Sequence, residues 1–181
     1  SYTATLFHKK TTGIISARGC AYNCAFCDKG VFGPKMRFRS AENFLKELRE
    51  VKEKYGYESY FFYDDIFTIN HKRLHKLLKG IEELDIQFLS ANRVNLMTPE
   101  ILRDLRKAGC VKVAYGIESG SQKVLDKVNK KTTVQQQIDA IKAAKDEGLY
   151  VKCYFIFGLP GEDEQSVEET KKLIEIAQPD Q

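Results

Sequence analysis

The sequence has no apolar run approaching the roughly 20 residues of a membrane-spanning helix. Its first residues, Ser1 to Thr12, lack the shape of a signal peptide. An excess of one charge is missing too. The 29 basic and 25 acidic residues leave a formal net charge of +4, too mild to argue for nucleic acid without clustering on one face. Histidine is rare: His8, His71 and His75 are all there are, and none stands at a finger-like spacing. These absences make a cytoplasmic, reducing setting the expectation. Structural disulfides are disfavoured there, and clustered cysteines bind metal or do redox chemistry.

What is present is an ordinary globular balance, 43% hydrophobic and 30% charged over 181 residues. That is enough apolar material for a core, and the length suits one domain. Ser1 is no initiator, and "AQPDQ" ends just after an amphipathic helix, so a piece of a longer protein is expected.

Short β-branched or aromatic runs alternate with stretches of helical period. The strands are predicted at Gly13–Ala17, Ser59–Tyr63, Ile86–Ala91, Val111–Tyr115 and Val151–Phe157. Each is mostly apolar, as in a parallel sheet buried on both faces. Ser40 is positioned to cap a first helix with Phe44, Leu48, Val51 and Tyr55 inward and Gly56 as its stop. Asn70 opens a second, with Leu74, Leu77, Leu78, Ile81 and Leu84 inward. Thr98, Pro99 and Gly109 punctuate a third. A short helix over Ser121 to Val128, a longer one from Thr132 or Thr133 to Gly148, and a last from Glu164 to Ala177 follow. This order means right-handed βαβ units, in an open doubly wound sheet or a TIM-type barrel. In both, chemistry sits at the carboxyl ends of the strands.

All five strand ends carry polar, acidic or glycine-rich residues. In order they are the cysteine loop "RGCAYNCAFCDKG", Asp64 and Asp65, Asn92 and Arg93, Glu118 and Ser119, and "FGLPGE". Such regularity points to one shared face. Cys20, Cys24 and Cys27 fall as Cys-x3-Cys-x2-Cys. A structural zinc site wants four ligands, and the fourth is missing here. A Cys24–Cys27 redox pair leaves Cys20 surplus. Three thiolates on one loop fit an iron–sulfur cluster with one iron left open, so zinc, thiol redox and a cluster are the readings. Cys110 and Cys153 lie in or beside strands and read as small hydrophobes.

"CAYNCAFC" resembles the Cys-x3-Cys-x-aromatic-Cys signature of the radical S-adenosylmethionine (radical SAM) superfamily, with Phe26 as the aromatic. "GIESGSQKVLDKVNKKTT" and "FIFGLPGE" resemble the fourth and fifth strand motifs of its branch of cobalamin-dependent enzymes, oxygen-independent coproporphyrinogen oxidases and methylthiotransferases. The resemblance covers essentially the whole chain. It implies a partial (β/α) barrel of α/β class with parallel strands, about five of six βα units present within residues 1–181. It implies a [4Fe-4S] cluster held by Cys20, Cys24 and Cys27, with SAM on the open iron. Reductive cleavage of SAM then gives a 5′-deoxyadenosyl radical that abstracts hydrogen.

By the same resemblance Phe26 lies against adenine, and Asp64 or Asp65 meets the SAM amino group. Glu118, with Ser119 in support, takes the ribose hydroxyls, and Lys130 neutralises the SAM carboxylate. Ile156 and Gly158 present backbone to the adenine edge. Glu162 is displaced by one from the usual acidic spacing, and Arg93 could face either the substrate or SAM. "YDDIF", "GIESGS" and "FGLPGE" favour the cobalamin-binding subgroup. No Asp-x-His-x-x-Gly run is present, so that cofactor would be held by an upstream domain. An electron donor such as flavodoxin or ferredoxin, a small-molecule or macromolecular substrate and flanking domains complete the expected partners. The alternatives are a methylthiotransferase-like or tRNA-modifying enzyme, and a non-catalytic zinc or iron–sulfur module.

Overall fold

A computed structural model of the protein describes residues 9–181; the expectations that fall on Ser1 to His8 lie outside it. Strands β1 (Thr11–Ile14), β4 (Ser59–Phe62), β5 (Gln87–Asn92), β6 (Cys110–Glu118) and β7 (Tyr150–Phe155) form one parallel sheet. Between β1 and β4 a two-stranded antiparallel ladder, β2 (Ala17–Arg18) with β3 (Arg37–Phe38), closes a long loop. The helices are α1 (Ala41–Tyr55), α2 (His71–Glu82), α3 (Pro99–Lys107), α4 (Gln122–Lys127), α5 (Val134–Asp146) and α6 (Glu164–Ala177).

Sheet order is β1-β4-β5-β6-β7, the order in which the chain makes them. A doubly wound sheet reverses its strand order at a switch point, and none occurs here. Successive helices pack on one another, α1 on α2, α2 on α3, α3 on α5 and α5 on α6. One-way winding under one layer of helices is barrel architecture, with five units in place.

The start and stop signals act as the sequence implies. Ser40 Oγ accepts from Asn43 N at 3.1 Å, and Gly56 ends α1 at φ 67°. Thr98 Oγ1 accepts from Ile101 N at 3.2 Å with Pro99 in the first turn of α3, and Thr133 with Gln136 forms a capping box on α5. The core behind the sheet is aromatic. Phe62 stacks on Phe88 at 4.6 Å between centroids and meets Phe67 at 5.0 Å and Phe44 at 5.4 Å.

Five expectations shift. The predicted first strand, Gly13–Ala17, splits: Ser16 N and Oγ both donate to Asp64, which turns the chain out of the sheet and hands Ala17 to the ladder opposite Phe38. The fourth strand runs on to Glu118 through a register shift at Gly116, while the fifth stops at Phe155 and leaves Phe157 exposed. Tyr55 is half exposed at the end of α1, its ring beside Lys54 instead of in the core. Nor, among the described residues, is the sheet covered on both faces. Tyr60 and Phe62 are buried under helices, whereas Tyr63, which stacks on Phe61, and Tyr154 are exposed.

Candidate cofactor site at the strand ends

The cysteine loop follows β2 and has no regular structure of its own. It is held from outside. Ala25 N donates to Val128 O at 2.9 Å, and Asn129 Nδ2 donates to Asn23 O at 2.8 Å. The loop begins at Gly19, whose φ is +89° and whose missing Cβ would stand 2.4 Å from Lys35 O. Only glycine enters that turn without strain.

All three loop thiols are free: Cys20 and Cys24 half-buried, Cys27 exposed. Partial burial, and then the neighbouring Cys20 and Cys24, push the Cys27 thiol above its ordinary range. A cavity of about 260 Å³ beside them is lined by Cys20, Cys27, Asp28, Phe32 and Asp65, among others. A larger cavity, about 420 Å³, lies between the starts of α1 and α2 around Arg39 and Arg73, away from the thiols. Among the described residues no three His, Cys, Asp or Glu side chains gather around one point as ligands of a single metal ion. A cubane, by contrast, gives each thiolate its own iron.

The two aspartates after β4 divide. Asp64 is buried and accepts from Ser16 N at 2.6 Å and from Ser16 Oγ. Burial raises its carboxyl above the ordinary value, against the opposing pull of those bonds and of Arg73. Asp65 faces the other way, lines the thiol cavity and accepts from Gly19 N at 3.0 Å.

Glu118 and Lys130 form a buried ion pair, Nζ to Oε1 at 2.7 Å, with side chains 10% and 6% exposed. The backbone around them is forced. Glu118 has φ 67°, and Asn129 and Lys131, on either side of Lys130, have φ 55° and 54°. Left-handed non-glycine residues cost about 1–3 kcal/mol each and concentrate at functional sites. Gly116 makes room for the pair: a Cβ there would stand 2.4 Å from Glu118 Oε1. Lys130 Nζ also lies 5.6 Å from the centroid of the Phe26 ring. Phe26 and Ile156 pack on a small apolar cluster of Val124, Val128 and Leu159, so two of the three residues expected near adenine share one wall. Ser119 is buried, accepts from Ser121 N at 3.1 Å and lies 3.4 Å from Thr170 Oγ1, which ties it to α6. Gly158 is exposed at φ +85°, and its N–H donates to Glu162.

Arg93 reaches the loop. Its guanidinium stands 3.5 Å from Cys24 Sγ, donates to Lys130 O, and lies over the Tyr22 ring at 3.7 Å from the centroid. The sequence marked Arg93 as a strand-end residue but gave it no direction, because Cys24 is 69 positions away. Tyr22 and Ser16 went unmarked, since nothing local distinguishes an aromatic or a serine that meets its partner across the fold. Free thiols, a nearby carboxylate and a buried guanidinium fit a thiolate-held cluster with an amino-acid ligand beside it.

Comparisons with known proteins give the family. The family model of the Radical SAM superfamily matches residues 14–174. A protein of Pyrococcus horikoshii described as an uncharacterized methyltransferase is 38% identical over 163 residues, covering 88% of this chain and 36% of that protein. The anaerobic magnesium-protoporphyrin IX monomethyl ester cyclase of Rubrivivax gelatinosus is 32% identical over 170 residues, covering 91% of this chain and 30% of the relative. Among solved structures, the radical SAM methyltransferase TsrM of Kitasatospora setae superposes with a TM-score of 0.85 at 19% identity, over 94% of this chain and 34% of that one. The chain therefore spans about a third of the length of these relatives. Residues 14–174 and the strand-end site lead to one assignment: the chain belongs to the radical SAM superfamily, whose cofactors are a [4Fe-4S] cluster and SAM.

Proposed function

We propose that this chain is the SAM-cleaving core of a cobalamin-dependent radical SAM enzyme, with methyl transfer or a related rearrangement as the net reaction. The observation that carries the reading is the convergence of the three-thiol loop, Asp65 and the Glu118–Lys130 pair on one end of the sheet. The similarity to methyltransferases and a cyclase supports the subgroup. The chemistry supplied by a bound, reduced cluster is one-electron cleavage of SAM to methionine and a 5′-deoxyadenosyl radical.

The chain's own residues bind, orient and shield. Cys20, Cys24 and Cys27 hold the cluster. Asp65, not Asp64, accepts from the SAM ammonium, because Asp64 is spent on Ser16. Lys130 receives the SAM carboxylate and Glu118 the ribose hydroxyls, so binding loosens an ion pair that keeps both charges satisfied beforehand. Phe26, Ile156 and the Gly158 backbone form the adenine wall and exclude water. Ser119 supports Glu118 through the backbone turn it fastens.

The domain reading is of a core followed by a sixth strand. Gln181 N donates to Val151 O at 3.2 Å and Cys153 N donates to Gln181 O at 2.7 Å, the pattern of a parallel bridge along β7. A cobalamin domain upstream and flavodoxin or ferredoxin as electron donor complete the proposal. A cytoplasmic setting is part of the same proposal. No helix of the described residues is long and apolar enough to cross a membrane.

The test is anaerobic reconstitution of the longer protein with iron and sulfide, followed by reductant and SAM. Formation of 5′-deoxyadenosine or another SAM cleavage product is expected, and Cys24→Ala should lose iron. Stoichiometric tight zinc with no SAM cleavage would refute the reading.

A further inference from the structure

Arg93 is almost completely buried, at 6% exposure. Among the described residues it forms no salt bridge with a carboxylate. A buried cation needs an anion or well-aimed acceptors. Its acceptors are Asn95 Oδ1 at 3.3 Å, Lys130 O and Cys24 Sγ at 3.5 Å, while the Tyr22 ring covers one face of the guanidinium. Of these, only the Cys24 sulfur becomes an anion, and it does so when it ligates iron.

We propose that Arg93 is a positioning residue that sets the reduction potential of the cluster. It donates to the Cys24 thiolate, and Tyr22 holds it at that distance. The inference rests on the radical SAM reading and goes beyond it, since that reading asks nothing of Arg93. The step concerned adds one electron, taken from the external donor, to the oxidised cluster and its three thiolates. That electron adds one negative charge to the cluster. A fixed positive charge at a ligand sulfur stabilises the more negative, reduced state more than the oxidised one, and so raises the potential. The same guanidinium binds the carbonyl of Lys130, the residue assigned to the SAM carboxylate, so cluster loop and SAM site share one anchor.

The experiment is an EPR-monitored redox titration, without SAM, of the reconstituted full-length protein. Wild type is compared with Arg93→Met, Arg93→Lys and Tyr22→Leu. Charge-assisted hydrogen bonds are the strong class. Arg93→Met should therefore keep its iron and sulfide and shift the one-electron equilibrium at least tenfold toward the oxidised state, about 59 mV more negative. Arg93→Lys and Tyr22→Leu should shift the midpoint in the same direction by less. If Arg93→Met does not load a cluster, those two variants decide: a negative shift supports the proposal and an unmoved midpoint overturns it. An unmoved midpoint in loaded Arg93→Met, with weakened SAM binding, would also overturn it and assign Arg93 to SAM. A wild-type protein that takes up no cluster would overturn the underlying functional reading as well, so the two failures are distinct.

Discussion

Lys130→Met gives the sharpest test of the buried pair. The ammonium lies 2.7 Å from Glu118 Oε1, and both side chains are at most 10% exposed. Removing it leaves a carboxylate out of water with its counter-charge gone, in a backbone already held at φ 67°. Breaking a buried pair in this way costs about 3–5 kcal/mol. For a domain of this size that lowers Tm by on the order of 10 °C. Pairing Lys130→Met with Glu118→Gln removes the stranded charge and should recover most of the loss. Urea unfolding followed by circular dichroism on wild type, both single variants and the double variant gives the coupling energy directly. A single-variant loss under about 1 kcal/mol, or a double variant equal to the sum of the singles, would refute the claim that these two charges depend on one another.

Asp64 makes a pH-dependent prediction. Burial raises its carboxyl above 3.8, so the folded state holds the proton more tightly than the unfolded chain does. Its contribution to stability is full below that ordinary value and is lost as pH rises through the folded value. Asp64→Asn keeps the shape and an acceptor for Ser16 N, and should flatten the fall in stability above about pH 4 measured by thermal melts. Asp65→Asn should weaken SAM binding in equilibrium dialysis, since it removes the carboxylate beside the thiol cavity. Burial pushes the Cys110 and Cys153 thiols up to about 12, so alkylation of cluster-free protein at pH 8 should modify Cys20, Cys24 and Cys27 and spare the other two, as read by peptide mass spectrometry. Gly116→Ala should destabilise by about 1–3 kcal/mol in urea melts, because its methyl displaces the Glu118 carboxylate.

Helix ends were legible because capping is local chemistry: Thr98 with Pro99, and Thr133 with Gln136, announce their turns within four residues. The cysteine loop stood out through its spacing together with its place after the first strand, both of which are local in the sequence. The first strand was misplaced because its end is set by Asp64, 48 residues further on, through Ser16. Choosing between the two aspartates had the same obstacle, since adjacent residues of one chemistry differ only in which side of the strand end they face. Arg93 carried no local mark of its partner at all.

The rims of the sheet differ in what they offer to other polypeptides. Along β7 the Val151 carbonyl accepts from Asp180 N and Gln181 N, the Cys153 amide donates to Gln181 O, and the Val151 amide donates to Asp180 Oδ2. Beyond β1 no further strand is paired among the described residues, and within them Thr11–Ile14 form the margin of the sheet. Such margins recruit strands from neighbouring molecules unless charge discourages them. Of the two lysines just ahead of β1, Lys10 is turned to the end of α1, its Nζ donating to Tyr55 O at 2.7 Å and lying 4.6 Å from the centroid of the Tyr57 ring. Lys9 is left to supply that charge. Neutralising Lys9 should turn a dispersed preparation of this segment into one that clumps, with strand-to-strand docking at β1 as its first event.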